Sequence, residues 1–235
     1  MARYRLTEET RKVDGRTLHR VEYCEDFRTV RRGMNGGFVE RLDNIKDEAL
    51  LGEDCAVYGD AVLCGKAQAN GHALVYGSSI VCGDAIVSEE CRVHGHARVY
   101  GRARIGGQAQ VAGHARVRGK AYVGEQAYVH AYAKVGDRAR VTGECIVGGM
   151  ADLAGDARVS RAGDYIVFHN FWEDSDTCTT WTRSNDSWKT GAFCGSAEAL
   201  AEWARGEGTT PMMACAEMVA YVERVKELVI EEESR

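Results

Sequence analysis

Residues 55–162 read CAVYGD AVLCGK AQANGH ALVYGS SIVCGD AIVSEE CRVHGH ARVYGR ARIGGQ AQVAGH ARVRGK AYVGEQ AYVHAY AKVGDR ARVTGE CIVGGM ADLAGD ARVSRA, 18 six-residue units without a break. Place one is always Ala, Ser or Cys. Place three is Val, Leu, Ile or, once, Ala, and place five is usually Gly. So short and strict a period describes a stack in which each unit is one brief strand and one corner. Small and aliphatic residues at places one and three point inward, and glycine at place five permits the corner backbone. Three units close one triangular coil, so the block predicts six coils.

Outside the block the pattern changes. Residues 1–54 read as a small β cap. It has a strand at Tyr4–Leu6, a turn at Asp14-Gly15, a returning strand at Thr17–Tyr23 and a second turn at Met34-Asn35-Gly36-Gly37. Residues 163–235 read as a separate module. It has three antiparallel strands near 165–172, 178–183 and 187–194, with a turn at Ser184-Asn185-Asp186. Two helices follow: Ser196 caps one over 197–205, and Pro211 opens a longer one reaching about Glu232. In the longer helix Cys215, Met218, Val222, Val225 and Val229 form a narrow apolar seam. That seam suits packing on the preceding small sheet, with a self-associating coiled coil as the alternative.

Composition sets limits. The chain has 235 residues with 27 Gly and 1 Pro, which fits many tight turns and excludes a collagen or a disordered linker. No apolar run approaches the roughly 18 residues of a membrane span. The first residues, MARYRLTEETRKVDG, carry charges where a secretion signal has an apolar run, so the expectation is a cytoplasmic protein without a membrane partner. The 9 cysteines show no CxxC pairing, and Cys55, Cys91 and Cys145 stand at place one as small core residues. Cys64 and Cys82, one coil apart at place four, read as stacked neighbours without a bond.

The repeat resembles the hexapeptide repeat of left-handed parallel β-helix proteins. Its A-x-V-x-G-x form is similar to that in β-helix proteins of phages and enteric bacteria. The leader YRLTEETRKVDGRTLHRVEYCEDFRTVRRGMNGGFVERLDNI and the C-terminal DYIVFHNFW…TWTRSNDSWKTGAFCG are similar to the segments that flank such repeats in phage-encoded proteins. The resemblance implies a mainly β fold: a single-stranded left-handed parallel β-helix of about six coils (55–162), between a β cap (1–54) and a β-meander plus two helices (163–235). Well-known hexapeptide proteins are trimeric acyltransferases with a histidine base, which implies a homotrimer. Their coils usually carry a long active-site loop, and here no loop interrupts the block from Cys55 to Ala162.

Written as columns, one residue per coil, the outward positions divide by chemistry. The first face and its corner gather His94, His96, His114 and His130 with Tyr58, Tyr76, Tyr128 and Tyr132. The second face stacks Arg98, Arg116 and Lys134, with Arg118 alongside. The third carries Arg104, Tyr122, Arg140 and Arg158. Between Cys91 and Arg140 ten Lys and Arg face only Glu125 and Asp137, although the whole chain has a net charge of −5. Stacked like charges repel unless solvated or answered by an anion. From Glu198 onward nine Asp and Glu meet four Lys and Arg, a source of acidic groups for the basic coils in a trimer. Outward Val62, Leu74, Ile80 and Ile86 need a cover, from the N-terminal cap or a neighbouring subunit.

These columns lead to three functional expectations. The first is a non-catalytic scaffold, phage-encoded, binding a small anionic, nucleotide-like host signal in immune evasion. Its ligand residues are Arg98, Arg116, Arg118, Lys134, Arg104, Arg140 and Tyr128, with Trp181, Arg183, Trp188 and Lys189 as an aromatic-basic pocket in the C-terminal module. The second is an acetyl-CoA-dependent acyltransferase using His94, His96, His114 or His130. The third is a protein that binds and inhibits a host enzyme. No metal site is expected, because zinc needs convergent ligands and no carboxylate or thiolate joins the histidine columns. The negative total charge and the absence of a nucleic-acid motif argue against nucleic acid as a partner.

Overall fold

The computed structural model describes residues 3–52, 54–169, 178–206 and 212–233. Every hexad places its second and third residues in a two-residue strand, from Ala56–Val57 to Arg158–Val159. Each strand pairs in parallel with its counterpart three hexads on, as in Val99↔Val117 and Val117↔Val135. The result is a parallel β-solenoid with three sheets, one per face of the coil. Ala, Cys and Val at places one and three form one buried column through it, including Cys55, Cys91 and Cys145. Cys64 and Cys82 are free thiols.

The corners explain place five. Gly101, for example, has φ +74°, and a Cβ there would lie 3.0 Å from the backbone N of Gly119 in the next coil. Glycine serves both the left-handed backbone and the close approach of stacked corners. Where Glu89, Glu125 or Asp137 replaces it at positive φ, the carboxylate accepts the amide of the next corner: Gly107 at 2.6 Å, Gly143 at 2.7 Å and Gly155 at 2.9 Å.

The solenoid has about seven turns, one more than the hexads alone predict. Phe38–Val39 pairs with Ala56–Val57, Ile45 bridges Leu63, and Leu50–Leu51 pairs with Gln68–Ala69. Val39, Ile45 and Leu51 therefore continue the inward column with the same period of six. The segment expected to turn at Asn35-Gly36-Gly37 is instead the start of a strand, β3 (Asn35–Val39). Its glycines permit close approach: a Cβ on Gly36 would sit 2.6 Å from the Leu51 carbonyl oxygen, and one on Gly37 2.5 Å from that of Cys55.

Two longer strands precede the first turn, β1 (Tyr4–Val13) and β2 (Arg16–Tyr23), joined at Asp14-Gly15 with both residues at positive φ. The hairpin extends the first sheet through β3. It also covers part of the first face, where Leu18 and Val13 pack with Phe38, Tyr58, Leu74 and Tyr76. Leu74 thus gains its expected cover, whereas Ile80 on the second face stays exposed.

At the other end a four-stranded antiparallel sheet follows: Tyr165–His169, Cys178–Thr182, Ser187–Thr190 and Phe193–Gly195. The fourth strand goes beyond the three expected. Helices α1 (Ala197–Gly206) and α2 (Met212–Glu233) cover this sheet. Cys215, Met218 and Val222 of the seam are buried with Trp181, Trp188 and Leu200, so the seam packs within the chain, while Val229 lies outside the residues with described side chains. The sheet docks on the last coil through Thr180 Oγ1, which accepts the Asp152 amide at 3.0 Å, and Ser184 Oγ, which accepts that of Arg158 at 2.6 Å. No helix among the described residues is long and apolar enough to cross a membrane.

Candidate anion-binding groove

Two of the expected columns meet. The corner after the first face carries His96, His114 and Tyr132. Ring centroids lie 4.9 Å apart between His96 and His114 and 5.0 Å apart between His114 and Tyr132, with planes within 9° and 4° of parallel. Two residues further along each coil come Arg98, Arg116 and Lys134, held in register by parallel pairing. The two columns line one groove of about 430 Å³, with Met150 at its lower end. His114 is sandwiched between the rings of His96 and Tyr132, so it meets the groove with its edge.

The electrostatics of the groove are one-sided. Among the described residues no ion pair involves Arg98, Arg116, Arg118 or Lys134. One corner further on, the chain does supply carboxylates: Arg102 faces Asp84 at 3.8 Å, and Arg138 faces Asp156 in a two-pronged pair. The cation column ends at Asp152, in register with Lys134. Burial beneath the C-terminal sheet raises the Asp152 carboxyl above its ordinary value, and Lys134, Lys189 and Arg118 pull the other way.

The other candidate residues fall elsewhere. His94 stacks below Tyr76 at 4.9 Å, in a column that begins at Tyr58, and burial and then Arg92 hold its imidazole below the ordinary value. His130 packs against Tyr128 at 4.6 Å and over Gly148, where a Cβ would lie 2.5 Å from its Nε2. The four histidines therefore divide among three environments. Among the described residues none of them is hydrogen-bonded to a carboxylate that would orient it as a base. On the third face Arg140 lies over the Tyr122 ring at 4.8 Å, and Arg140 and Arg158 edge a shallow hollow; Arg104 stands exposed in the same column. No group of three or more His, Cys, Asp or Glu suited to a metal ion occurs among the described residues.

The aromatic-basic pocket expected in the C-terminal module is corrected. Trp181 and Trp188 are each 1% exposed and form the module's core. Trp188 stacks on Phe168, and Trp181 Nε1 donates to Asp186 at 2.7 Å. Lys189 Nζ donates to the carbonyls of Gly191 and Phe193. Arg183 sits in a short 3₁₀ turn beside the last coil, and Trp172 lies outside the described residues. The tryptophans are buried because they sit between the sheet and the two helices, packed with Leu200, Met218 and Val222.

Sequence columns placed every residue of the groove, with Met150 in the same corner column as His96, His114 and Tyr132, but treated the histidines and the cations as separate faces. No family model matches this chain, and no curated protein is significantly similar to it.

Proposed function

We propose that this protein is a non-catalytic binding scaffold that captures a small anionic, nucleotide-like molecule in the groove between His96–His114–Tyr132 and Arg98–Arg116–Lys134. The observation that carries this reading is the in-register Arg98–Arg116–Lys134 column, which makes no ion pair among the described residues and meets a carboxylate, Asp152, only at its end beyond Lys134. Two unit charges about 5 Å apart in water repel by roughly 0.8 kcal/mol, so the arrangement is tolerable when empty. A phosphate between two of the cations turns that repulsion into attraction, and arginine adds paired donors that match phosphate oxygens. The adjacent imidazoles and phenol supply hydrogen-bonding groups for a heterocycle. The resemblance to phage-encoded proteins read from the repeat and flanks supports sequestration of a host signal as the use of such a site, and the resemblance to hexapeptide proteins supports a homotrimer.

Calorimetry across a panel of nucleoside mono-, di- and triphosphates tests the proposal. Saturable binding that Arg116→Ala weakens at least tenfold, and that added salt weakens further, is expected. No heat with any member overturns it. A thermal shift with acetyl-CoA alone would favour the acyltransferase instead, capture of a defined host enzyme without nucleotide binding would favour an inhibitor, and light scattering checks the trimer.

A further inference from the structure

Arg98 and Arg116 have a second side. Across from the groove they also wall a more apolar hollow of about 310 Å³, together with Ile80, Cys82 and Tyr100. The two guanidinium groups thus stand between two recesses of different character. One is edged by imidazoles and a phenol. The other offers an exposed tyrosine, an isoleucine and a thiol. Tyr100 is 36% exposed and, unlike His96, His114 and Tyr132, has no ring partner among the described residues. It lines the hollow, where a planar ring could pair with it at the centroid separations of about 4.5–7 Å that aromatic pairs adopt.

Resting on the reading above, we propose that the two recesses form one bipartite site for a ligand with two planar heterocycles joined through phosphate. Its phosphate lies on the Arg98–Arg116 pair, one heterocycle meets the His96–His114–Tyr132 column, and the other stacks on Tyr100 beside Ile80. The dimensions allow it: Tyr100 follows His96 by four positions, which puts their Cα atoms at most about 14 Å apart. That length spans two nucleoside units on either side of one phosphate. The chemistry agrees as well. A mononucleotide fills one recess and leaves the other apolar surface wet, whereas a two-armed ligand covers both and shares one pair of cations. The recess containing Ile80 also lies outside the area that the N-terminal hairpin covers.

The test uses the full chain and two kinds of probe, the four nucleoside 5′-monophosphates and the corresponding homodinucleoside monophosphates such as adenylyl-(3′→5′)-adenosine, with affinities from calorimetry. The variants are Tyr100→Ala and His114→Ala, both at exposed positions, with unchanged far-ultraviolet dichroism as the check on folding. The expected result is that one dinucleoside binds at least thirtyfold tighter than its monophosphate. Tyr100→Ala should reduce dinucleoside affinity about tenfold and leave monophosphate affinity unchanged, and His114→Ala should weaken both. Equal affinity for the two probe classes, or an equal loss for both in Tyr100→Ala, overturns the bipartite site while leaving anion capture standing. Absence of binding by every probe overturns both.

Discussion

Asp14, at the tip of the N-terminal hairpin, accepts a 2.7 Å hydrogen bond from the hydroxyl of Tyr58 on the first face of the solenoid. Tyr58 is 3% exposed, and it heads the ring column that continues through Tyr76 to His94. The contact links the hairpin's loop to a coil far along the chain and fixes the hairpin as a cover. Asp14→Ala leaves a buried hydroxyl unpaired and should cost about 1–3 kcal/mol. Asp14→Asn keeps an acceptor and suits the residue's φ of +49°, so it should cost less. Urea unfolding gives both values. Amide exchange should quicken across β1 and β2 in the alanine variant.

Alkaline pH should destabilise the fold. Burial raises the Tyr4 hydroxyl to about 12, and it also lifts Tyr23 and Tyr58. The Cys64 and Cys91 thiols are likewise pushed up to about 12 by burial. Unfolded thiols ionise near 9 and phenols near 10. Above those values the unfolded chain has released protons that the folded chain still holds. Stability is therefore fully present below about pH 8.5 and declines as pH rises through 9 toward 12. Melting temperatures from pH 7 to 11 check this, and Tyr58→Phe should flatten the phenol part of the decline.

Two corner glycines should respond differently to alanine. Gly149 and Gly107 share a φ of +62°, but a Cβ at Gly149 meets nothing within 4 Å. At Gly107 it would lie 2.7 Å from both the backbone N and O of Glu125. Gly149→Ala should cost about 1–2 kcal/mol from the left-handed backbone alone. Gly107→Ala adds a backbone clash and should cost about 1–3 kcal/mol more. Denaturant midpoints of the two variants compare the terms directly.

The corner carboxylates predict a pair of opposing effects at Glu125. Glu125→Ala removes the acceptor of the Gly143 amide and keeps the positive φ, for a loss of about 1 kcal/mol. Glu125→Gly loses the same bond but relieves the backbone by a similar amount, so it should be nearly neutral. Thermal melts of the two variants beside the parent chain give the order.

Trp188→Ala opens the core of the C-terminal module and should cost that module about 3–5 kcal/mol. Its buried cluster is separate from the column inside the solenoid. Loss of near-ultraviolet signal from the module, with solenoid amides still protected from exchange, is the expected outcome. Loss of protection in both parts would show the two to be one cooperative unit.

The hexads at 55–162 by themselves determined the three-sided parallel stack, because a period of six with one small and one aliphatic inward residue leaves each strand a single way to bury its side chains. They also determined which outward residues share a column. The seventh turn was present in the sequence as Val39, Ile45 and Leu51 at the same spacing. Gly37 and Asp43 at place one obscured it, and the Asn-Gly-Gly run imitates a turn. Only the tertiary structure decided which columns adjoin across a corner, so that His96–His114–Tyr132 and Arg98–Arg116–Lys134 line one groove. It also decided the fate of Trp181 and Trp188, whose residue type suits a module core as well as a ligand pocket and which lie in the core. The physical reason is the same in both cases. Periodicity records whether a side chain points in or out, whereas which outward surfaces meet depends on how the corners bend and on what folds back over each face.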